Sequence, residues 1–162
     1  MPARLMLVGD FSRQSGAFSE SILFSPEEDA MLANMLRAIG LSRDEVYSTN
    51  TLKCCPLPQA APPDASVRQC VAYLHREIAL VRPQIICAMG DGAARAVLES
   101  SEPVARLRGK LHPYKKGGEG LMALRIVPTY HPRLLLAHPE MKRAAWQDLQ
   151  LIQKHLAGLS AA

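Results

Sequence analysis

A histidine followed by a proline closes the apolar run VPTYHP at positions 127–132, and a run of leucines comes directly after it. An imidazole in such a place could act as a general acid, or as a cation that stabilises an anion growing in a transition state. The proline would fix the loop that aims it. The plainer reading of His131 is a histidine capping a strand end. Asp10, after Gly9, could orient a water or stabilise a cationic sugar transition state; otherwise it is a turn residue. Asn50 carries an amide with both a donor and an acceptor, the combination that reads a nucleobase edge. Its alternative is a loop asparagine that satisfies its own backbone. Phe24 stands just before a helix start, as a hydrophobic staple or core residue, or as an aromatic plate for a stacked base.

Basic residues could hold an anionic partner around such a centre. Lys53, Arg133, Lys142-Arg143 and the run RLRGK at 106–110 are candidate phosphate contacts. Each taken singly reads more readily as a solvated surface charge. The stretch GDGAARAVL (90–98) has the look of a glycine-rich phosphate turn. It lacks both the Gly-Lys-Ser/Thr ending of a P-loop and a full G-x-G-x-x-G, so it is read as an ordinary tight strand-to-helix turn.

The elements that must position these residues follow from apolar patterning. RLMLVG (4–9) is a buried strand ending in glycine, and 11–24 shows no sustained period and is read as loop. SPEEDAMLANMLRAIG (25–40) is a helix, with Ser25 to cap it, Pro26 in its first turn, acids at its positive end and Gly40 to stop it. EVYSTN (45–50) is a second strand, 51–66 a proline-rich loop, and 66–83 a helix with Val67, Cys70, Val71, Leu74, Ile78 and Val81 on one face. QIICAMG (84–90) is a third strand, apolar throughout, and 91–100 a short helix. Residues 104–114 read as a basic strand or hairpin arm, 115–121 as a turn, 122–130 as the last strand and 138–158 as a closing helix. Alternating strands and helices imply a three-layer α/β/α sandwich around a central, mainly parallel four-stranded sheet. Residues 1–162 show no repeat or linker and are expected to form a single domain. Parallel strands would put Gly9-Asp10, Thr49-Asn50, Gly90-Asp91 and His131-Pro132 on one rim, where ligands of such sheets bind.

Composition is that of an ordinary globular chain, 48% hydrophobic and 21% charged, so disorder is not expected. No apolar run is long enough to span a bilayer, and the amino terminus reads as a strand and turn rather than an export signal. No membrane association and a cytoplasmic location are therefore expected. The net charge of +4 suits an anionic partner without demanding one. Cys54, Cys55, Cys70 and Cys87 form no C-x-x-C pair and match no standard metal spacing. Cys87 lies in an apolar strand and reads as a small core residue. No metal and no cofactor are expected.

The segments LMLVGD, MLRAIGLSRDEVYSTNTLKC, REIALVRPQIICAMGDGAARAVL, RLRGK and VPTYHPRLLLAHPEMKRAAWQDLQ, in that order, resemble the uracil-DNA glycosylase superfamily, and within it the iron–sulfur type called family 4. The resemblance runs from about Arg4 to about His155. It implies a pocket for a base flipped out of DNA. It further implies that Phe24 stacks on uracil, Asn50 reads its edge, and His131 meets the oxygen where negative charge grows. Arg133 and the leucines would then belong to a loop that touches DNA. The family's first motif, Gly-Glu-x-Pro-Gly, is here Gly9-Asp10-Phe11-Ser12-Arg13. Of the family's four cluster cysteines, Cys54 and Cys70 match the later two and the earlier pair has no counterpart, so no iron–sulfur cluster is expected. The resemblance implies DNA, uracil-containing or single-stranded, as partner. A weaker resemblance, in MLRAIGLSRDEVY and HPEMKRAAWQDL, is to the psi subunit of the DNA polymerase III clamp loader. It implies an inactive adaptor, with a clamp-loader subunit or single-strand-binding protein as partner.

Overall fold

A computed structural model describes residues 3–10, 24–51 and 64–160. Four strands run parallel: β1 (Leu5–Gly9), β2 (Val46–Asn50), β3 (Ile85–Met89) and β5 (Arg125–Thr129). A fifth, β4 (His112–Pro113), pairs antiparallel with the start of β5 and closes the sheet in the order β2-β1-β3-β5-β4. The sheet is therefore five-stranded rather than four-stranded, though still mainly parallel. Pro128 lies in β5 beyond the two residues that β4 covers, Arg125 and Ile126. The proline's missing N–H leaves β4 no unmatched acceptor there.

The helices lie on both faces. Leu5, Leu7, Ile85, Cys87, Met89 and Val127 point to one side, against α1 (Pro26–Ala38) and α6 (Lys142–Ser160). Met6, Val8, Ile86, Ala88 and Ile126 point to the other, against α2 (Asp64–Val81), α3 (Asp91–Leu98) and α4 (Val104–Leu107). This period-two division of strand residues between two cores is what a sheet buried on both faces requires. The three-layer α/β/α arrangement read from the sequence is the one observed.

Two segments differ from their sequence reading. Residues 104–114 are not a hairpin arm: the short helix α4 comes first, its Val104 N–H received by the Asp91 carboxylate at 2.7 Å, and only His112–Pro113 are strand. The leucine run after Pro132 is not a loop but the helix α5 (Pro132–Ala137), with proline in its first turn and His131 as its cap. No helix among the described residues is long and apolar enough to cross a membrane.

Candidate functional site

The order β2-β1-β3 means that the chain leaves β1 toward one neighbour and later returns on its other side. The crevice between β1 and β3 is therefore the switch point of the sheet, where ligands of open α/β folds bind. All four polar strand ends read from the sequence lie on this carboxyl rim, because the four strands carrying them are parallel.

Gly9 marks where three of the expected residues converge. Its register partner across the β1–β2 ladder is Asn50. A Cβ on Gly9 would stand 2.5 Å from Asn50 Oδ1, 3.2 Å from Phe24 Cε1 and 3.4 Å from His131 Nε2. An amide, an aromatic ring and an imidazole thus face one point on the α1/α6 side of the sheet end, and only a glycine lets all three come this close. All three side chains are buried, and the Phe24 and His131 rings lie 5.8 Å apart, tilted by 43°. Thr51 holds this corner shut, its backbone N–H and hydroxyl both donating to the Gly9 carbonyl, at 2.8 and 3.0 Å.

His131 is held in one orientation. Its Nδ1 accepts the Arg133 backbone N–H at 3.0 Å, the cap of α5. In the neutral ring the proton therefore sits on Nε2. That nitrogen is buried and has no hydrogen-bond partner among the described residues. Burial, helped by the nearby Arg133 guanidinium, pulls its pKa down to about 4. At neutral pH the imidazole is thus uncharged, with its Nε2–H on the side of Gly9.

Asp10 belongs to the opposite side of the strand end. Its Oδ1 accepts the Ala93 N–H at 2.6 Å, at the start of α3. The carboxylate packs against Gly90 and Gly92, and a Cβ at Gly90 would collide with Oδ2. Burial pushes its pKa up to about 6, against the lowering effects of the Ala93 N–H and of Arg133. The glycines of GDGAARAVL thus make room for an aspartate, a role the sequence reading did not find. The pair is 83 residues apart in sequence, so no local pattern could have revealed it.

Of the basic candidates, Arg133 is partly buried and its Nε pairs with Glu28 Oε1 at 3.3 Å. Glu28 also receives the Ser25 N–H in a capping box, so it links the start of α1, next to Phe24, to the start of α5, next to His131. From the sequence Glu28 is one of the acids at the positive end of the helix and nothing more. Arg108 of RLRGK is turned inward to Asp148 at 3.0 Å, whereas Arg106, Lys110, Lys142 and Arg143 are exposed. Lys53, Cys54, Cys55 and Phe11-Ser12-Arg13 lie outside the described residues.

Cys87 is buried on the α1/α6 face of the sheet. Cys70 lies one turn before Leu74 on α2, in the layer across the sheet. They cannot ligate one centre. Without Cys87, three cysteines remain, one short of a four-cysteine cluster. Among the described residues no group of three or more metal-ligating side chains comes together. Cys70 and Cys87, the two cysteines among the described residues, therefore do not share a cluster.

Residues 2–150 match the model of the uracil DNA glycosylase superfamily, and the chain belongs to that superfamily. Within it the chain is similar to glycosylases of the fourth and fifth types. It is 30% identical over 126 residues to the type-4 uracil-DNA glycosylase of Archaeoglobus fulgidus, covering 75% of this chain and 62% of that one. It is 27% identical over 157 residues to the type-4 enzyme of Sulfurisphaera tokodaii, covering 94% and 70%. It is 31% identical over 148 residues to the type-5 enzyme of Pyrobaculum aerophilum, covering 80% and 61%. The chain thus spans between about three fifths and seven tenths of these relatives' own lengths.

Proposed function

We propose that this protein removes uracil from DNA by hydrolysing the N-glycosidic bond, a base-excision step, and that residues 1–162 act as one domain in doing so. The observation that carries this is the convergence of Asn50, Phe24 and His131 around Gly9 at the carboxyl end of β1. A flipped pyrimidine entering there would stack on Phe24 and present its edge to the Asn50 amide, whose donor and acceptor suit the O4 and N3–H of uracil. When the glycosidic bond breaks, its electron pair leaves with the base. Negative charge then grows on the uracil ring and its O2. A neutral imidazole whose Nε2–H points into the pocket stabilises that oxygen by hydrogen bonding, with no proton transfer needed.

Asp10 serves the sugar. Ionised, its carboxylate offsets the positive charge on the deoxyribose and accepts a proton from the attacking water. Its position across the strand end from the base pocket supports this division of labour. Arg133, on the first turn after the His-Pro pair, and Lys53 would contact the DNA backbone. Relatives of two glycosylase types favour this reading over a replication adaptor.

The test is release of free uracil from single- and double-stranded oligonucleotides by the purified protein, with His131→Ala and Asn50→Asp as controls. Release by the native chain, reduced at least about 100-fold in either variant, is expected. No release at high enzyme concentration would overturn the proposal. Capture of a clamp-loader subunit or single-strand-binding protein by an inactive protein would then point to the adaptor.

A further inference from the structure

We propose that the ion pair between Arg108 and Asp148 is a positioning device for His131: it grips Thr129 and Tyr130, the two residues before the histidine, and so keeps the imidazole aimed into the pocket. The inference rests on the role of His131 given above.

Asp148 lies on α6 with its side chain wholly buried. One oxygen, Oδ2, accepts both the Thr129 hydroxyl at 2.7 Å and Arg108 Nε at 3.0 Å. Arg108 is itself tied down, with Nη2 donating to the Ala144 carbonyl at 3.0 Å and to Gln147 Oε1 at 3.2 Å. Its guanidinium carbon stands 5.9 Å from the centre of the Tyr130 ring. The carboxylate thus holds one residue of the β5 exit and the guanidinium lies over the next. The Thr129 carbonyl also accepts the Gly90 N–H at 2.9 Å, and Gly90 is part of the turn that receives Asp10. One buried pair therefore stands behind both sides of the rim.

Stability alone does not explain it. Burying two charges consumes most of what their attraction returns, and a well-packed apolar pair does as well or better. A charged pair adds direction. A carboxylate that must face both a guanidinium and a hydroxyl admits few arrangements, so it fixes the Thr129 rotamer. A backbone fixed at 129 and 130 leaves little freedom at 131. In the sequence Arg108 reads as a solvated surface charge or a candidate phosphate contact; the structure gives it an inward partner instead.

Three variants test this. Thr129→Val removes one hydroxyl at nearly constant volume, Asp148→Asn removes the charge, and Arg108→Lys keeps the charge but loses the planar fork. Two readouts are taken on each. The first is the imidazole ¹⁵N spectrum of His131, which distinguishes a ring fixed with the proton on Nε2 from one that samples both tautomers, and needs no substrate. The second is uracil release. Expected are a shift of the His131 ring signals toward mixed tautomers in Thr129→Val and Asp148→Asn, and a fall in kcat of about 10- to 100-fold, the loss that about an ångström of misplacement brings. KM stays within about twofold. Arg108→Lys falls between. His131 signals and kcat unchanged in Thr129→Val and Arg108→Lys, with only a lower Tm, would overturn the proposal and leave the pair a structural staple; these two variants decide the matter if Asp148→Asn does not fold. A native protein that releases no uracil overturns the glycosylase reading, while the ring signals still decide whether the pair aims the imidazole.

Discussion

Adding one methyl group at Gly9 should break up the meeting of Asn50, Phe24 and His131. In Gly9→Ala the new Cβ would stand 2.5 Å from Asn50 Oδ1, closer than such atoms approach, and within 3.4 Å of both Phe24 and His131. Asn50 is flanked by the Thr51 bonds to Gly9, so its backbone cannot retreat and its amide must turn away. Overpacking of this kind costs about 1–3 kcal/mol. In a chain of this size that lowers Tm by roughly 2–12 °C. Uracil release should fall further than stability does, by about 100-fold, because the methyl displaces the amide that reads the base. Calorimetry and the release assay measure the two losses separately. A double-mutant cycle with Asn50→Ala sharpens the test: without the amide oxygen, the stability loss from Gly9→Ala should shrink by about 1 kcal/mol or more. A Gly9→Ala protein with native Tm and native activity would show that the three side chains do not meet at this point.

Four further outcomes are expected. Asp10→Asn should be more stable than the native chain at pH 7, by roughly 3 kcal/mol, because a carboxyl whose folded pKa is raised to about 6 disfavours the folded state once ionised. The gain should vanish as pH falls from 6 to below 4, and a lower Tm at pH 7 would refute it; excision should be lost in the same variant. His131 acts with the opposite sign. Its folded pKa, about 4, lies below that of the unfolded chain, so acid between pH 6.5 and 4 is taken up first by the unfolded state and destabilises the fold; His131→Asn should flatten that acid limb in a Tm-versus-pH series, and an unchanged limb would refute it. Arg133→Gln should lower the slope of log affinity for DNA against log salt by about 0.7–0.9, one phosphate contact, and an unchanged slope would remove Arg133 from the interface. Anaerobically purified protein should be colourless with far less than one iron per chain; a brown protein with stoichiometric iron and sulfide would refute this and show that a cluster is held without Cys87, which is buried in the core.

The rim was legible in the sequence because it rests on strand periodicity and parallel order, both carried by long apolar runs such as QIICAMG. Asn50, Phe24 and His131 were found singly, and the motif resemblance joined them; their meeting at Gly9 depends on the register Gly9↔Asn50, which no local pattern encodes. Short elements were lost. A two-residue strand such as β4 has no periodicity to read and exists only because β5 pairs with it. In α5 the run of three leucines obscured the start signal, although Pro132 in its first turn carried one. Asp10 was recognised as an acid but not as the partner of Ala93, and Arg108 not as the partner of Asp148. Each contact joins residues far apart in sequence, and buried polar pairs of that kind leave no mark in composition.

The most direct test of the pocket is a ¹⁵N NMR titration of the native protein with free uracil. Saturable shifts confined to the Asn50 side-chain amide, the His131 ring and their neighbours around Gly9, absent in Gly9→Ala and not produced by cytosine, are expected. Uracil that shifts signals elsewhere on the molecule, or none at concentrations where uracil release is inhibited, would contradict the assignment of this rim as the uracil site.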